Sequence, residues 1–259
     1  MKLKHYIIIL LVFCKGFVYA QADTSHYIYS MFGLNGGYGI NLVSPANTKY
    51  ANPFWTKGGP NISASGLIAL RQSYFSVPVV IGYCAPVFDL QDFIGIDLDT
   101  TQPSRYQAVS SGNYHIYYAM TGLNVKVPHR TTREAIELRF MVGPLIATQG
   151  TISYNYINPL TTPPSPTIIS KTFINQSTCT TLAFSPGISL GYKLSKHFAV
   201  MGNADLFYAL LRFYTTRDNT DDFGNTTSQS LYMRESMLYL QLSAGLTYSI
   251  GHIIGNIVN

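Results

Sequence analysis

"LYLQLSAGLTYSI", residues 238–250, alternates without interruption. Leu238, Leu240, Leu242, Ala244, Leu246, Tyr248 and Ile250 form one row, and Tyr239, Gln241, Ser243, Gly245, Thr247 and Ser249 form the other. Side chains on a strand point alternately to opposite faces. The stretch therefore reads as a strand with one oily face and one small, polar face. Which face meets solvent, and what that solvent is, decides the fold class.

Two further stretches answer the question. "MFGLNGGYGINL" (31–42) sets Gly33, Asn35, Gly37, Gly39 and Asn41 against Phe32, Leu34, Tyr38, Ile40 and Leu42. "LAFSPGISLGY" (182–192) carries Ala183, Ser185, Gly187, Ser189 and Gly191 on its polar row. In a soluble sandwich these rows would be the wet surface and would carry Lys and Glu, yet they carry none. Small side chains suit the crowded inside of a narrow barrel, and the aliphatic and aromatic rows suit hydrocarbon. The oily face points outward to lipid and the polar face inward. A membrane admits a sheet only if it closes, because an open edge leaves backbone groups unpaired. The expected fold is an all-β, up-and-down antiparallel transmembrane β-barrel.

Composition agrees. Charged residues are 11%, against roughly 25% in soluble domains, and the aromatics include 20 Tyr. The opening "MKLKHYIIILLVFCKGFVYAQ" has Lys2 and Lys4, an apolar core from Ile7 to Phe13, and the small-residue site Val18-Tyr19-Ala20. It reads as a secretory signal peptide over 1–20, leaving 21–259 as the barrel. Its apolar run is shorter than the roughly 20 residues of a spanning helix, and Phe13 and Lys15 around Cys14 fit a lipoprotein poorly. Without Lys2, Lys4 and Lys15 the chain keeps 14 basic residues against 12 acidic ones, which gives no case for nucleic acid.

Alternating stretches appear near 27–43, 61–71, 74–86, 113–126, 134–154, 171–192, 197–215 and 230–250, about eight strands. Connections alternate between long (44–60, 87–112, 157–170, 215–229) and short (72–73, 127–133, 193–196). Long loops outside and short periplasmic turns are the expected order. The pair 134–154 and 171–192 exceeds the roughly 9–11 residues a tilted strand needs. It is expected to rise above the bilayer as a hairpin with "TTPPSP" at its tip. Tyr114, Tyr117 and Tyr118, with Tyr154 and Tyr156, read either as an interfacial aromatic girdle or as ordinary strand formers.

The leader ending "VYAQ" resembles those of Bacteroidota exported proteins. "YFSVPVVIGYCAPVF" (74–88) resembles a strand of their outer-membrane β-barrel-domain family, and "SAGLTYSI" (243–250) is similar to a barrel assembly signal, with Ser243, Gly245, Tyr248 and Ile250 in its places. The final residue, Asn259, departs from the terminal aromatic of many such barrels. The family includes small barrels of the OmpX and OmpA kinds and barrels associated with type IX secretion. The resemblance implies a cell outer membrane location more firmly than any activity.

The candidate site is an inward polar network of Glu137, Arg139, Asp205 and Arg71. Charges inside a small barrel must be paired, because isolated ones are costly to desolvate. The network reads either as a structural plug or as a gate in a narrow, porin-like conduit. Cys84 and Cys179 face inward from strands on nearly opposite sides, which argues against a disulfide. No His-x-Ser context accompanies His26, His115, His129, His197 or His252, so no catalytic residue is assigned and the chain is not expected to be an enzyme. "DNTDDF" (218–223) lacks the spacing of a calcium loop and reads better as a solvated acidic loop; no metal or cofactor is expected. Tyr50, Phe54 and Trp55, beside Lys49 and Lys57, form either a contact site for an envelope protein or glycan or local packing within the loop. The expected partner is outer-membrane lipid around a monomer. The expected role is structural or interaction-based, through long external loops. An accessory subunit of a secretion or uptake complex, a narrow channel and, less favoured, a lipid-modifying enzyme stay open.

Overall fold

The computed structural model describes residues 27–42, 52–53, 56–69, 74–93, 106–127, 134–157 and 168–253. The expected leader, Arg71, Tyr50, Phe54 and Trp55 lie outside the described residues. Among the described residues the order is β1 (Tyr27–Asn41), β2 (Asn52–Pro53), β3 (Thr56–Ala69), β4 (Phe75–Cys84), β5 (Val87–Phe88), the short helix α1 (Leu90–Phe93), β6 (Tyr106–Ser111), β7 (His115–Val127), β8 (Glu134–Gln149), β9 (Ile152–Ile157), β10 (Ile168–Ile174), β11 (Ser177–Lys193), β12 (Phe198–Asp221) and β13 (Thr226–Ile253).

Eight strands, β1, β3, β4, β7, β8, β11, β12 and β13, pair antiparallel each with the next, and β13 pairs back onto β1. The seam runs from Tyr27 opposite Ile253 to Asn41 opposite Tyr239. The ring is closed and follows chain order. The total strand count is higher than the eight expected, because β2, β5, β6, β9 and β10 attach at the end away from the seam's Tyr27 and Ile253.

Four expected stretches are corrected. The stretch 134–154 is two strands, broken at Gly150 and Thr151. Gly112 N–H donates to Thr151 O at 2.8 Å there, and Gly112 and Gly150 approach so closely that neither has room for a Cβ. The stretch 171–192 breaks at Asn175 and Gln176. Asn175 turns to the neighbouring strand, donating to Thr216 Oγ1 at 2.7 Å and to Asp218 Oδ2 at 2.8 Å. So β9 and β10 still pair, but β10 docks on the top of β12 instead of continuing beside β8. The supposed loop 215–229 is mostly strand: β12 and β13 pair as far as Thr220 opposite Thr226. Its arms are rich in Thr, a β-branched strand former, and Thr220 and Thr226 share a hydroxyl contact at 3.0 Å. The supposed loop 87–112 likewise holds β5, α1 and β6. The outcome is a five-stranded sheet, β13-β12-β10-β9-β6, standing on the ring.

Orientation follows from burial. Leu34 is 69% exposed while Asn35 beside it is 4% exposed. Leu182, Phe184, Leu190, Leu246 and Ile81 are likewise outward and exposed, whereas Ser63, Ser185, Ser189 and Gln241 are buried inside. On β12 the outward row runs Phe198, Val200, Gly202, Ala204, Leu206, Tyr208 and Leu210. At a rise of ~3.3 Å per residue and a tilt of ~40°, that row spans about 30 Å of height, the thickness of bilayer hydrocarbon.

Candidate functional site: the filled lumen

The inward rows build two layers. Nearer the seam's Tyr27–Ile253 end the layer is polar. Arg139 on β8 and Asp205 on β12 form an ion pair at 2.6 Å, both under a tenth exposed. They reach each other across β11, where Gly187 is the register partner of both. A Cβ at Gly187 would overlap Asp205 Oδ1, so glycine there leaves the path between the two charges open. Glu137, two residues from Arg139 on the same row, accepts from Asn124 Nδ2 at 3.0 Å, and the same amide reaches Ser76 Oγ at 3.0 Å. Asn203 donates to Asn35 and Ser243 at 3.3 Å and accepts from Ser189 at 2.8 Å, and Asn35 donates to Ser65. The gap bordered by Asn35, Glu137, Arg139 and Asn203 is about 30 Å³, room for little more than one water molecule.

Above it the lumen is apolar. Phe207, Leu211, Phe213, Met233, Met237, Leu145, Ile152, Ile174 and Ile116 are buried in one cluster, and Phe88, Phe93 and Tyr114 enter it from the chain between β4 and β7. Phe88 lies 5.7 Å from Tyr114, and Tyr114 lies 6.1 Å from Phe213, centre to centre. The cluster encloses one acid, Glu235, wholly buried, which shares the Tyr114 hydroxyl between its oxygens at 2.8 and 2.9 Å. Between the layers, Gln241 donates to Tyr118 Oη at 2.9 Å. Tyr118 lies over Gly82 and Tyr239 over Gly39, each ring occupying the space a Cβ would need.

Of the expected network, Arg139 and Asp205 are brought together, Glu137 is held beside them through Asn124, and Arg71 lies outside the described residues. Tyr50, Phe54 and Trp55 also lie outside them. The intervening Asn52–Pro53 forms β2 and pairs parallel with Glu235–Ser236. Asn124, Asn203, Gly187, Glu235 and Tyr114 were not among the residues expected in the network. Glu235 was within reach, since the inward row of the opening stretch, extended upward from Tyr239, passes through it.

The tyrosine expectation divides. Tyr117 points outward beside Tyr83, which hydrogen-bonds His115 at 2.7 Å. Tyr114, Tyr118 and Tyr154 are buried, because both rows of these strand ends are large and apolar and the inward one packs the mouth. Cys84 and Cys179 are free thiols inside the cluster. In the acidic stretch, Asp221 accepts from the amides of Phe223 and Asn225 at 3.0 and 2.7 Å and from Asn225 Nδ2 at 3.0 Å. Asp218 accepts from Ser228 at 2.6 Å. These bonds hold both carboxyls below the usual carboxylate range and make the segment a hairpin tip. Among the described residues no three His, Cys, Asp or Glu side chains converge as a metal set.

A closed ring, an outward apolar belt of bilayer height and a polar, filled interior meet the requirements for crossing a membrane with strands. This chain is an outer-membrane β-barrel. No family model matches the sequence, and no curated protein matches it. Solved structures similar in outline include a major outer membrane protein from Thermus thermophilus, 15% identical over 85% of this chain and 99% of that one, with a TM-score of 0.47. Others are the outer membrane protease OmpT from Escherichia coli (9% identity, 88% and 99% coverage, TM-score 0.40) and Ail, the attachment invasion locus protein of Yersinia pestis (7% identity, 87% and 99% coverage, TM-score 0.36). The membrane assignment rests on the belt and the closed ring.

Proposed function

We propose that this protein is a sealed outer-membrane platform that acts through its raised rim, docking another envelope protein. The observation that carries the reading is the sheet standing above the ring. It ends in β6, whose far edge has no strand partner among the described residues. An edge without a strand partner is a template for strand addition, and Gln107, Val109 and Ser110 on β6 are exposed. The filled lumen supports the same reading, because the apolar cluster above and the ion pair below occupy the interior among the described residues. The leader and the 74–88 strand support a Bacteroidota envelope, where a type IX secretion assembly is one partner of suitable kind. The barrel itself acts as a monomer without catalysis.

Two measurements test this. In planar bilayers the purified barrel shows no steady conductance. After gentle detergent extraction a partner co-elutes with it and is lost on Val109→Pro, since proline blocks pairing at a strand edge. Persistent single-channel steps would assign a conduit instead. Co-elution of a glycan unaffected by Val109→Pro would move the site to the loops. Lipid turnover lost on His115→Ala would assign an enzyme.

A further inference from the structure

Above the belt, the outward row of the β12–β13 ladder changes character. Leu210 on β12 and its register partner Ser236 on β13 are followed by Arg212 and Arg234, which are register partners, both exposed and on the same face. Cross-strand partners hold their Cβ atoms about 5 Å apart, and like charges placed so are destabilising. Neither guanidinium has an acidic partner among the described residues. Above them Tyr214 and Tyr232 lie 4.8 Å apart, and Tyr208 lies below. Tyrosines at this height mark the boundary between hydrocarbon and headgroups.

We infer that Arg212 and Arg234 form a clamp for the phosphate of an anionic lipid in the outer leaflet. Each guanidinium offers a planar fork matched to phosphate oxygens, and one phosphate between the two cancels the repulsion that the register imposes. The height selects the source. The pair stands one step above Leu210 and Ser236 and two above Tyr208 and Leu238, at the upper limit of the belt, so an anion there sits in the headgroup layer, with its acyl chains running down the face of β12 and β13. A lipid held there would brace the base of the raised sheet, independently of what docks on β6.

The test is native mass spectrometry of the full chain in detergent, with diphosphoryl lipid A as probe and phosphatidylethanolamine as the lipid without net charge. Heat-modifiable gel migration checks that each variant is folded. The wild type retains lipid A through delipidation. Arg212→Gln with Arg234→Gln retains about tenfold less, the scale of losing charge-assisted contacts. Arg212→Lys with Arg234→Lys, which keeps the charge without the fork, falls between and serves if the Gln pair does not fold. Unchanged retention in both pairs overturns the inference, as does equal retention of phosphatidylethanolamine. Displacement of lipid A by millimolar inorganic phosphate would identify a water-facing anion site and overturn the headgroup assignment.

Discussion

The lumen is filled in two ways. In its lower half the inward side chains are small or charged and are held by directed bonds: Arg139 to Asp205, Asn124 to Glu137, and Asn203 to Asn35 and Ser189. In its upper half they are Phe, Leu, Met and Ile held by contact, with the Tyr114–Glu235 bond buried among them. The lower half sits where the outer face is pure hydrocarbon, so inward polarity distinguishes inside from outside and fixes the register, since a slip of one residue would send every charge to lipid. The upper half begins at Phe207, within the span of the belt, and rises above it into the raised sheet. There the barrel has an ordinary core, as a soluble β-protein would. One chain thus uses opposite packing rules along the same strands.

The sharpest break in that contrast is Arg139→Ala. Removing one partner of a buried ion pair leaves the other charge stranded, at a cost of about 3–5 kcal/mol. The pair replacement Arg139→Met with Asp205→Leu should recover nearly all of it, because apolar groups of similar volume often substitute for a buried ion pair at little cost. Urea unfolding in lipid vesicles checks both variants. A loss below about 1 kcal/mol for Arg139→Ala would mean the pair is screened as exposed pairs are, and the lower half would then be a wet conduit.

The upper half should respond differently. Phe213 is wholly buried in the cluster. Phe213→Ala removes contacts and leaves a cavity, costing about 3 kcal/mol. No second polar substitution should rescue it, because no charge is left unpaired. The same variant thins the seal at the mouth, so brief conductance steps should appear in planar bilayers where the wild type is silent. Steps of equal frequency in both would place the seal in the ion-pair layer alone.

The contrast also explains what the sequence showed and what it hid. In 31–42 and 238–250 one row is oily and the other polar, so ring, orientation and inward charges were readable from period two alone. In 207–213 the inward Phe207, Ala209, Leu211 and Phe213 alternate with Tyr208, Leu210 and Arg212. Both rows there are largely apolar, and periodicity cannot name a face. The junctions were hidden for another reason. Gly150 breaks β8 from β9 because of a contact with Gly112, and Asn175 breaks β10 from β11 through bonds to β12, so both depend on distant chain. The cross-strand bonds of the 215–229 arms were equally invisible, so a polar stretch read as loop. The route between Arg139 and Asp205 needed the register across Gly187, which only the folded ring supplies.

The smallest expected effect is confined to the hairpin tip, where both halves give way to water. Asp221 is held below the usual carboxylate range first by the Asn225 side chain and then by the Asn225 amide. A group whose folded pKa is depressed lends stability that is present above its unfolded value, about 3.9 for aspartate, and lost as pH falls through the lower folded value. Acid should therefore loosen residues 221–225 at pH below about 4 while the ring keeps its order. Hydrogen-exchange protection at Phe223 and Asn225, corrected for intrinsic rate, should fall between pH 5 and pH 3, about one unit either side of that value. Asp221→Asn should flatten that dependence, because an amide oxygen still accepts the turn's bonds but does not titrate. Protection that holds through acid in the wild type would mean the turn is set by its backbone, with Gly224 at a φ of 84° supplying the bend. The carboxylate would then follow the turn's shape instead of imposing it.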